Sequence, residues 1–383
     1  MKTLVIIITC ILSVNIVTAK EIELKIIKKS SNGHGLLCKL QDKKTVLFVH
    51  GSPEEMGQAH GELLKDDITA MKNIINCVAL GYYIKKKDNF YSRIIDVIKQ
   101  SAPHTPKRFI TECDSMAKTA GLSKEQGRQI NFFPEMFHCS GVAVRGKATT
   151  RGQVIHARVL DYMFNMNLQK YAVLMVFMPE KYNNWISVSY PGIVGTVTAM
   201  NDKGLAMGEM GGKGGEGKWS GLPMTFLMRR IMEECSTVDE AVKLIKSVPL
   251  TCNYYYVLSD KDKNMCGIKA FWGTPVKVYL PGQQDKELPP VPQDCVYISG
   301  SKRKKYLSER LHANFGKIDA GKMIEIIKRP VAMKSNLHNA IFLPESLTMY
   351  FSDADSRTLA CNMPYYKVNL KELIAFYKST MHK

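Results

Sequence analysis

"FHCSGVAVRGKATTRGQVIHARVLDY" occupies residues 137–162. Small and apolar residues alternate through 139–146. A polar turn, "KATTRG", follows, and 153–162 alternates again. Period-two patterning on both sides of a short glycine-ended link is the signature of a β-hairpin. Cys139 stands at the mouth of this hairpin, and Arg158-x-x-Asp161 ends its second strand. A cysteine in that place is either core filling or a nucleophile held at a strand tip.

Upstream of the hairpin the pattern is different. Val46 to Val49 reads as a strand, and Ser52 followed by Glu55 reads as a helix-capping box. Met56, Leu63, Leu64, Ile68 and Met71 then follow helical spacing. Further helical patterns cover about 88–101, 104–119 and 123–132, so residues 46–137 are expected to be mostly helical. Residues 20–45 read as short strands and polar turns. Downstream, "KYAVLMVFMPE", "WISVSYPG", "VGTVTAMND" and "KGLAMGEM" continue the strands. A glycine-rich loop over 211–221 leads to a helical pattern at 223–247. Strands return in "NYYYVLSD", "CGIKAF", "VKVYL" and "CVYIS". Helices at 302–313 and 319–328 precede "HNAIFLP" and "LTMYFSD". Consecutive strands with short links imply antiparallel pairing. The expected fold is α+β, with two antiparallel sheets packed face to face and helices outside.

Length and composition fit one large domain or two ordinary ones: 383 residues, 45% hydrophobic and 23% charged. Residues 1–19 read as a secretory leader. Lys2 supplies the positive start, 4–12 the apolar stretch and Val17-Thr18-Ala19 the cleavage site. The apolar stretch is short for a membrane span. An exported protein without stable membrane insertion is therefore expected. The formal net charge is +18, but the basic residues are spread along the chain. The short clusters 85–87 and 302–305 lack interleaved aromatics, so nucleic acid is not an expected partner. Of ten cysteines, Cys10 lies in the leader, which leaves an odd number beyond it. No CxxC pair is present, and the nine histidines form no metal-ligand spacing, so neither a metal nor a cofactor is expected.

Two decoys fail on context. "VLFVHGSP" looks like a hydrolase strand end, but no G-x-S-x-G elbow follows. "GGKGGEG" contains G-x-G-x-x-G without the βαβ unit that a dinucleotide site requires.

Cys139 has two routes to activation. A histidine, His156 or His338, could take its proton. Alternatively, the chain is cut between His138 and Cys139, and the new α-amine becomes the base. Such an amine has an unperturbed pKa of about 7.7–8.0. The second route needs an acid on the neighbouring strand, and Asp161 is there, with Arg158 three residues earlier. Residues three apart on a strand face opposite ways. A bend or bulge near Leu160 is therefore required if both are to reach Cys139.

Several stretches together resemble the cysteine N-terminal nucleophile (Ntn) hydrolases, in the branch of the acyl-coenzyme A:6-aminopenicillanic acid (isopenicillin N) acyltransferase. These are "GSPEEMGQAHGELL" (51–64), "HCSGVAVRG" (138–146), "GQVIHARVLDY" (152–162), "AMNDKGLAMG" (199–208) and "CNYYYVLSD" (252–260). Val159 stands where that family usually has Asn. The resemblance implies an αββα sandwich preceded by a mostly helical pro-segment. It implies self-cleavage into fragments 20–138 and 139–383 that stay together. It makes Cys139 the nucleophile, its free amine the base, Asp161 the amine's anchor and Arg158 a support for thiolate and substrate. Asn201 and Asn253 become candidates for the oxyanion hole or for holding the amine, although Asn201 before Asp-Lys-Gly also reads as a β-turn residue. Arg303 in "SGSKRKKYL" matches a family arginine loosely, as a substrate contact. The implied substrate is a small linear amide or thioester, attacked to give acyl-Cys139. Two other readings stay open: an uncleaved cysteine hydrolase with a histidine base, and a non-catalytic exported binding protein on the same fold.

Overall fold

Alternating segments and amphipathic segments sort into four layers. The computed structural model describes residues 23–87, 89–132, 138–162, 166–212, 219–283, 291–300 and 302–381. The expected leader and most of the glycine-rich loop lie outside them.

Three strands come first: β1 (Leu24–Lys29), β2 (Gly35–Leu40) and β3 (Lys44–Gly51). Five helices follow: α1 (Pro53–Leu63), α2 (Lys65–Lys86), α3 (Phe90–Ser101), α4 (Lys107–Ala120) and α5 (Lys124–Phe132). The hairpin is β4 (His138–Gly146) and β5 (Gly152–Asp161). Then come β6 (Val173–Pro179), β7 (Trp185–Ser189), β8 (Thr198–Asn201) and β9 (Ala206–Gly211). The 223–247 helical pattern divides into α6 (Met224–Glu234) and α7 (Val238–Ser247). Strands β10 (Tyr254–Ser259), β11 (Met265–Ala270), β12 (Lys277–Tyr279) and β13 (Cys295–Ser299) precede α8 (Arg303–Ala313) and α9 (Ala320–Ile327). The chain closes with β14 (Asn336–Leu343), β15 (Thr348–Asp353), β16 (Tyr366–Asn369) and α10 (Leu370–Met381).

One sheet has ten strands in the order β1-β2-β3-β6-β7-β8-β9-β10-β11-β12. The other has six, in the order β13-β4-β5-β14-β15-β16. The two face each other across shared apolar clusters. One joins Cys139, Ala143, Leu160 and Val296 to Met210, Val257 and Met265. Another joins Ala340, Phe342 and Phe351 to Val46, Phe48 and Leu174. Helices α1–α7 cover the outer face of the ten-stranded sheet, and α8 and α9 cover that of the six-stranded sheet. The arrangement is the αββα sandwich expected from the strand order.

The expectation of antiparallel pairing throughout needs one correction. β3 pairs parallel with β6 from Thr45↔Val173 to Gly51↔Pro179. A parallel pair needs a long crossover, and α1–α5 with the hairpin supply it. This seam makes the first three strands part of the large sheet. The segment before Cys139 is therefore not only a helical layer, and it shares its core with the rest of the chain.

Local chemistry places the helices. Ser52 Oγ accepts from the Glu55 N–H, and Glu55 accepts from the Ser52 N–H, so the capping box starts α1 with Pro53 in its first turn. α1 then lies against α4 through Gly57 and Gly61. A Cβ at those positions would sit 2.5 Å from the Glu112 carbonyl and 2.3 Å from the Met116 carbonyl. Only glycine allows that approach.

Candidate active site

β4 and β5 pair in regular register from His138↔Asp161 through Cys139↔Leu160 and Gly141↔Arg158 to Val144↔Ile155. Cross-strand partners share a face. Cys139, Leu160, Gly141 and Arg158 therefore point into the space between the sheets. Val142, Val144 and Val159 point outward toward α8 and α9. Asp161 shares the outward face. The expected bulge near Leu160 is absent from this ladder. The irregularity lies on the next strand, where Asn336 pairs with Asp161 and His338 with Leu160, so Leu337 is extra. Arg158 and Asp161 thus approach Cys139 from opposite faces, as alternation dictates.

Arg158 is fully buried. It donates to the Val159 carbonyl and, at 3.2 Å, to Glu209 Oε2 on β9, which ties the two sheets together. Its stem fits because residue 208 is a glycine. A Cβ on Gly208 would meet Arg158 Cδ at 2.6 Å. Arg158 Nε has no hydrogen-bond partner among the described residues.

Asp161 accepts from Arg303 Nη1 at 2.6 Å and from the Met333 N–H at 2.8 Å. Arg303 Nη2 also donates to the Cys139 carbonyl at 3.4 Å. Arg303 therefore links the carboxylate to the nucleophile's own backbone. Burial raises the Asp161 carboxyl to about 6, against the lowering effects of the Met333 N–H and the Arg303 and Arg158 charges.

The Cys139 thiol is 3% exposed. Burial pushes it up to about 12. Arg158 and a hydrogen bond from the Asp161 backbone pull it down, while Glu209 and Asp161 push it further up. Such a thiol is neutral near pH 7 and needs a base. His156 and His338 are both fully buried on the same inner face and held neutral, His156 at about 3 and His338 well below its usual range. Burial is the main cause in each, with Arg158 second. His156 Nδ1 pairs with Ser259 Oγ at 2.9 Å. Both nitrogens of His338 are engaged, by Tyr190 Oη at 3.2 Å and Thr198 Oγ1 at 3.0 Å. Neither histidine shows a hydrogen bond to the thiol.

The remaining sequence candidates have partners of their own. Asn201 is buried in the β8–β9 turn. Its amide donates to the Met232 and Cys235 carbonyls and accepts from the Lys203 and Leu205 N–H groups. Both donors are used, so the turn-residue reading accounts for it. Asn253 stands just before β10, and it accepts from the Trp272 N–H through its side chain and from the Gly212 N–H through its backbone. His138 is placed by its backbone pairing with Asp161; its side chain lies outside the described residues.

Sequence reasoning overlooked Glu209 and Tyr190. Glu209 had a signal: an acidic residue inside the apolar run "GLAMGEM" has to find a buried partner. Tyr190 read as an ordinary strand residue in "WISVSYPG". Among the described residues no cluster of histidine, cysteine and carboxylate groups fits a metal, and no helix is long and apolar enough to cross a membrane.

Comparison with known proteins adds to this geometry. Residues 149–281 match the family model described as acyl-coenzyme A:6-aminopenicillanic acid acyl-transferase. The match takes in Arg158, Asp161, Asn201 and Asn253 and begins after Cys139. Protein dcd1B of Dictyostelium discoideum is 24% identical over 375 residues, covering 88% of this chain and 73% of that protein. The N-acylethanolamine-hydrolyzing acid amidase of Mus musculus is 21% identical over 174 residues, 43% of this chain and 47% of that protein. The solved structure of the Caenorhabditis elegans N-acylethanolamine-hydrolyzing acid amidase ortholog superposes with a TM-score of 0.46 and 18% identity, covering 54% of this chain and 93% of that one. The family that the motifs resembled is the one whose model matches: over residues 149–281 this chain is similar to the acyl-coenzyme A:6-aminopenicillanic acid acyl-transferase family.

Proposed function

We propose that the protein is an exported, self-processing cysteine amidohydrolase or acyltransferase whose nucleophile is Cys139. The observation that carries this reading is the pairing around Cys139. Arg158 lies on its inner face, and the Asp161–Arg303 pair is tied to its backbone on the other. A histidine base finds no support in the hydrogen bonding of His156 and His338.

In the uncut chain the Cys139 nitrogen is an amide and cannot act as a base. The Cys139 sulfur attacks the His138 carbonyl carbon. A C–S bond forms, the C–N bond breaks, and the thiol proton ends on the released nitrogen. Water then hydrolyses the thioester, leaving a carboxylate on His138 and a free amine on Cys139. That amine, facing the Asp161–Arg303 pair, takes the thiol proton in each later cycle. Arg158 stabilises the thiolate. An acyl amide or thioester loses its amine or thiol to form acyl-Cys139, and water or an acceptor amine removes the acyl group. The fragments 20–138 and 139–383 stay together because β3–β6 pairing and a shared core cross the cut. The relatives named as N-acylethanolamine-hydrolyzing acid amidases make an N-acylethanolamine the first substrate to try.

The test is trapping with an acyl p-nitrophenyl ester. One acyl mass on the Cys139 peptide, with release of nitrophenol, supports the reading. Acylation elsewhere, or none, overturns it and favours a binding protein on the same fold. The leader is tested separately, by the N-terminal residue of protein recovered from the medium of expressing cells.

A further inference from the structure

Among the described residues, the polar ties that cross between the sheets include His156–Ser259, Arg158–Glu209, and a third on which the reaction above does not draw. In the third, His338 on β14 meets Tyr190 Oη through Nδ1 and Thr198 Oγ1 through Nε2. The Tyr190 and His338 rings also stack, with centroids 6.1 Å apart and an interplanar angle of 27°. His338 pairs with Leu160, which pairs with Cys139, so all three share the inner face. Tyr190 belongs to the apolar cluster of Cys139; burial holds its hydroxyl protonated, and the charges of Asp353, Arg158 and, least of the three, Cys139 bear on it.

We propose that His338 is a positioning residue that aims the Tyr190 hydroxyl proton at the Cys139 reaction centre. A neutral imidazole offers one donor and one acceptor. If Thr198 donates to Nε2, then Nδ1–H donates to the Tyr190 oxygen. The phenol proton is then not spent on His338 and is free to face negative charge at Cys139. The opposite tautomer spends the Tyr190 proton on His338 and leaves the Thr198 proton over. Charge arises on the Cys139 side, so the first arrangement places the free donor where it acts. Preorganised donors of this kind matter most in a buried site. The other charged groups around Tyr190 are Arg158 on β5 and Asp353 on β15. Asp353 is itself paired with Lys44 at 3.2 Å.

This inference rests on Cys139 being the nucleophile, and the experiment separates the two claims. Iodoacetamide is the probe, and alkylation of the Cys139 peptide in the purified full-length product is followed by mass spectrometry from pH 6 to 10. Five proteins are compared: wild type, Tyr190→Phe, His338→Asn, His338→Gln and the Tyr190→Phe/His338→Gln double variant. Asparagine keeps a partner near Nδ1 for Tyr190, whereas glutamine reaches toward Nε2 and Thr198. Tyr190→Phe and His338→Gln are expected to slow alkylation at neutral pH about tenfold and to move its midpoint upward, the scale of one hydrogen bond to a charged group. His338→Asn is expected to recover most of the rate. The Tyr190→Phe/His338→Gln double variant is expected to be no slower than Tyr190→Phe alone. Equal midpoints in all variants, or effects that multiply in the double variant, overturn the inference. If wild-type Cys139 resists iodoacetamide and the chain stays whole, the nucleophile reading fails first. If wild type reacts and is cut while His338→Gln behaves like it, only the role of His338 falls.

Discussion

Arg229 and Arg158 are both fully buried guanidinium groups facing carboxylates, yet their surroundings differ. On α6, Arg229 donates through Nε to Glu233 at 2.8 Å, through Nη1 to the Val194 carbonyl at 2.9 Å and through Nη2 to Glu112 at 2.6 Å. The rings of Phe109, Phe177 and Trp185 surround it. Arg158 has one carboxylate partner at 3.2 Å, and its Nε donates to nothing described. Buried polar groups in proteins are almost always paired, and the exceptions call for a reason. Arg229 has the completeness of a structural clasp. It joins α4 to α6, across the proposed cut. On the proposed function, Arg158, which donates to the Val159 carbonyl and Glu209, serves the negative charge that develops at the neighbouring Cys139.

The largest effects expected from this contrast come from breaking each arginine in turn. Arg229→Met leaves Glu112 and Glu233 buried without their cation and is expected to cost about 3–5 kcal/mol, read as a fall in the thermal midpoint. Arg158→Met strands one buried carboxylate, Glu209, where Arg229→Met strands two, and is expected to cost less, about 3 kcal/mol. Its main effect is to slow alkylation of Cys139. An Arg158→Met protein as unstable as Arg229→Met, with unchanged thiol reactivity, would erase the distinction.

Next in size is the response to acid. His60, His156 and His338 are held neutral far below their usual range, chiefly by burial. Their unfolded forms take up protons as pH falls through 6.5, so each removes about 2 kcal/mol of stability between pH 7 and pH 5. Glu112 and Asp161 work the other way. Burial raises both to about 6, so the folded chain binds their protons first. Each returns about 1 kcal/mol over the same interval. Three losses outweigh two smaller gains, and the thermal midpoint is expected to fall on acidification. A midpoint that rises toward pH 5 would show that the carboxyl clusters dominate.

Smaller effects sharpen the picture around Arg158. Gly208→Ala drives a Cβ into its stem, with an expected cost of about 1–3 kcal/mol and slower alkylation of Cys139. Asn201→Ala removes the turn's four hydrogen bonds and is expected to cost about 1–2 kcal/mol. Because its donors serve the turn, alkylation of Cys139 should not change. A loss of thiol reactivity without a loss of stability would return Asn201 to the catalytic group.

Much of this was legible before the fold was seen. The hairpin, the four-layer order and the capping box at Ser52 follow from local period and local hydrogen-bond chemistry, which a sequence carries directly. Cys139, Arg158 and Asp161 stood out because one hairpin holds all three. What stayed hidden depends on pairing between distant segments. The parallel β3–β6 seam joins strands separated by five helices. Tyr190, Thr198 and Glu209 reach the site only because the second sheet lies across it. Asn201 was open to two readings because an asparagine before Asp-Lys-Gly looks the same whether it holds a turn or an oxyanion, and its hydrogen bonds in the fold are those of a turn.

The most direct test of the central claim is the intact mass, under denaturing conditions, of purified wild-type protein beside Cys139→Ala. The account predicts two fragments in the wild type, the second beginning at Cys139, and one uncut chain in the variant. A single full-length chain in both would contradict self-processing at Cys139.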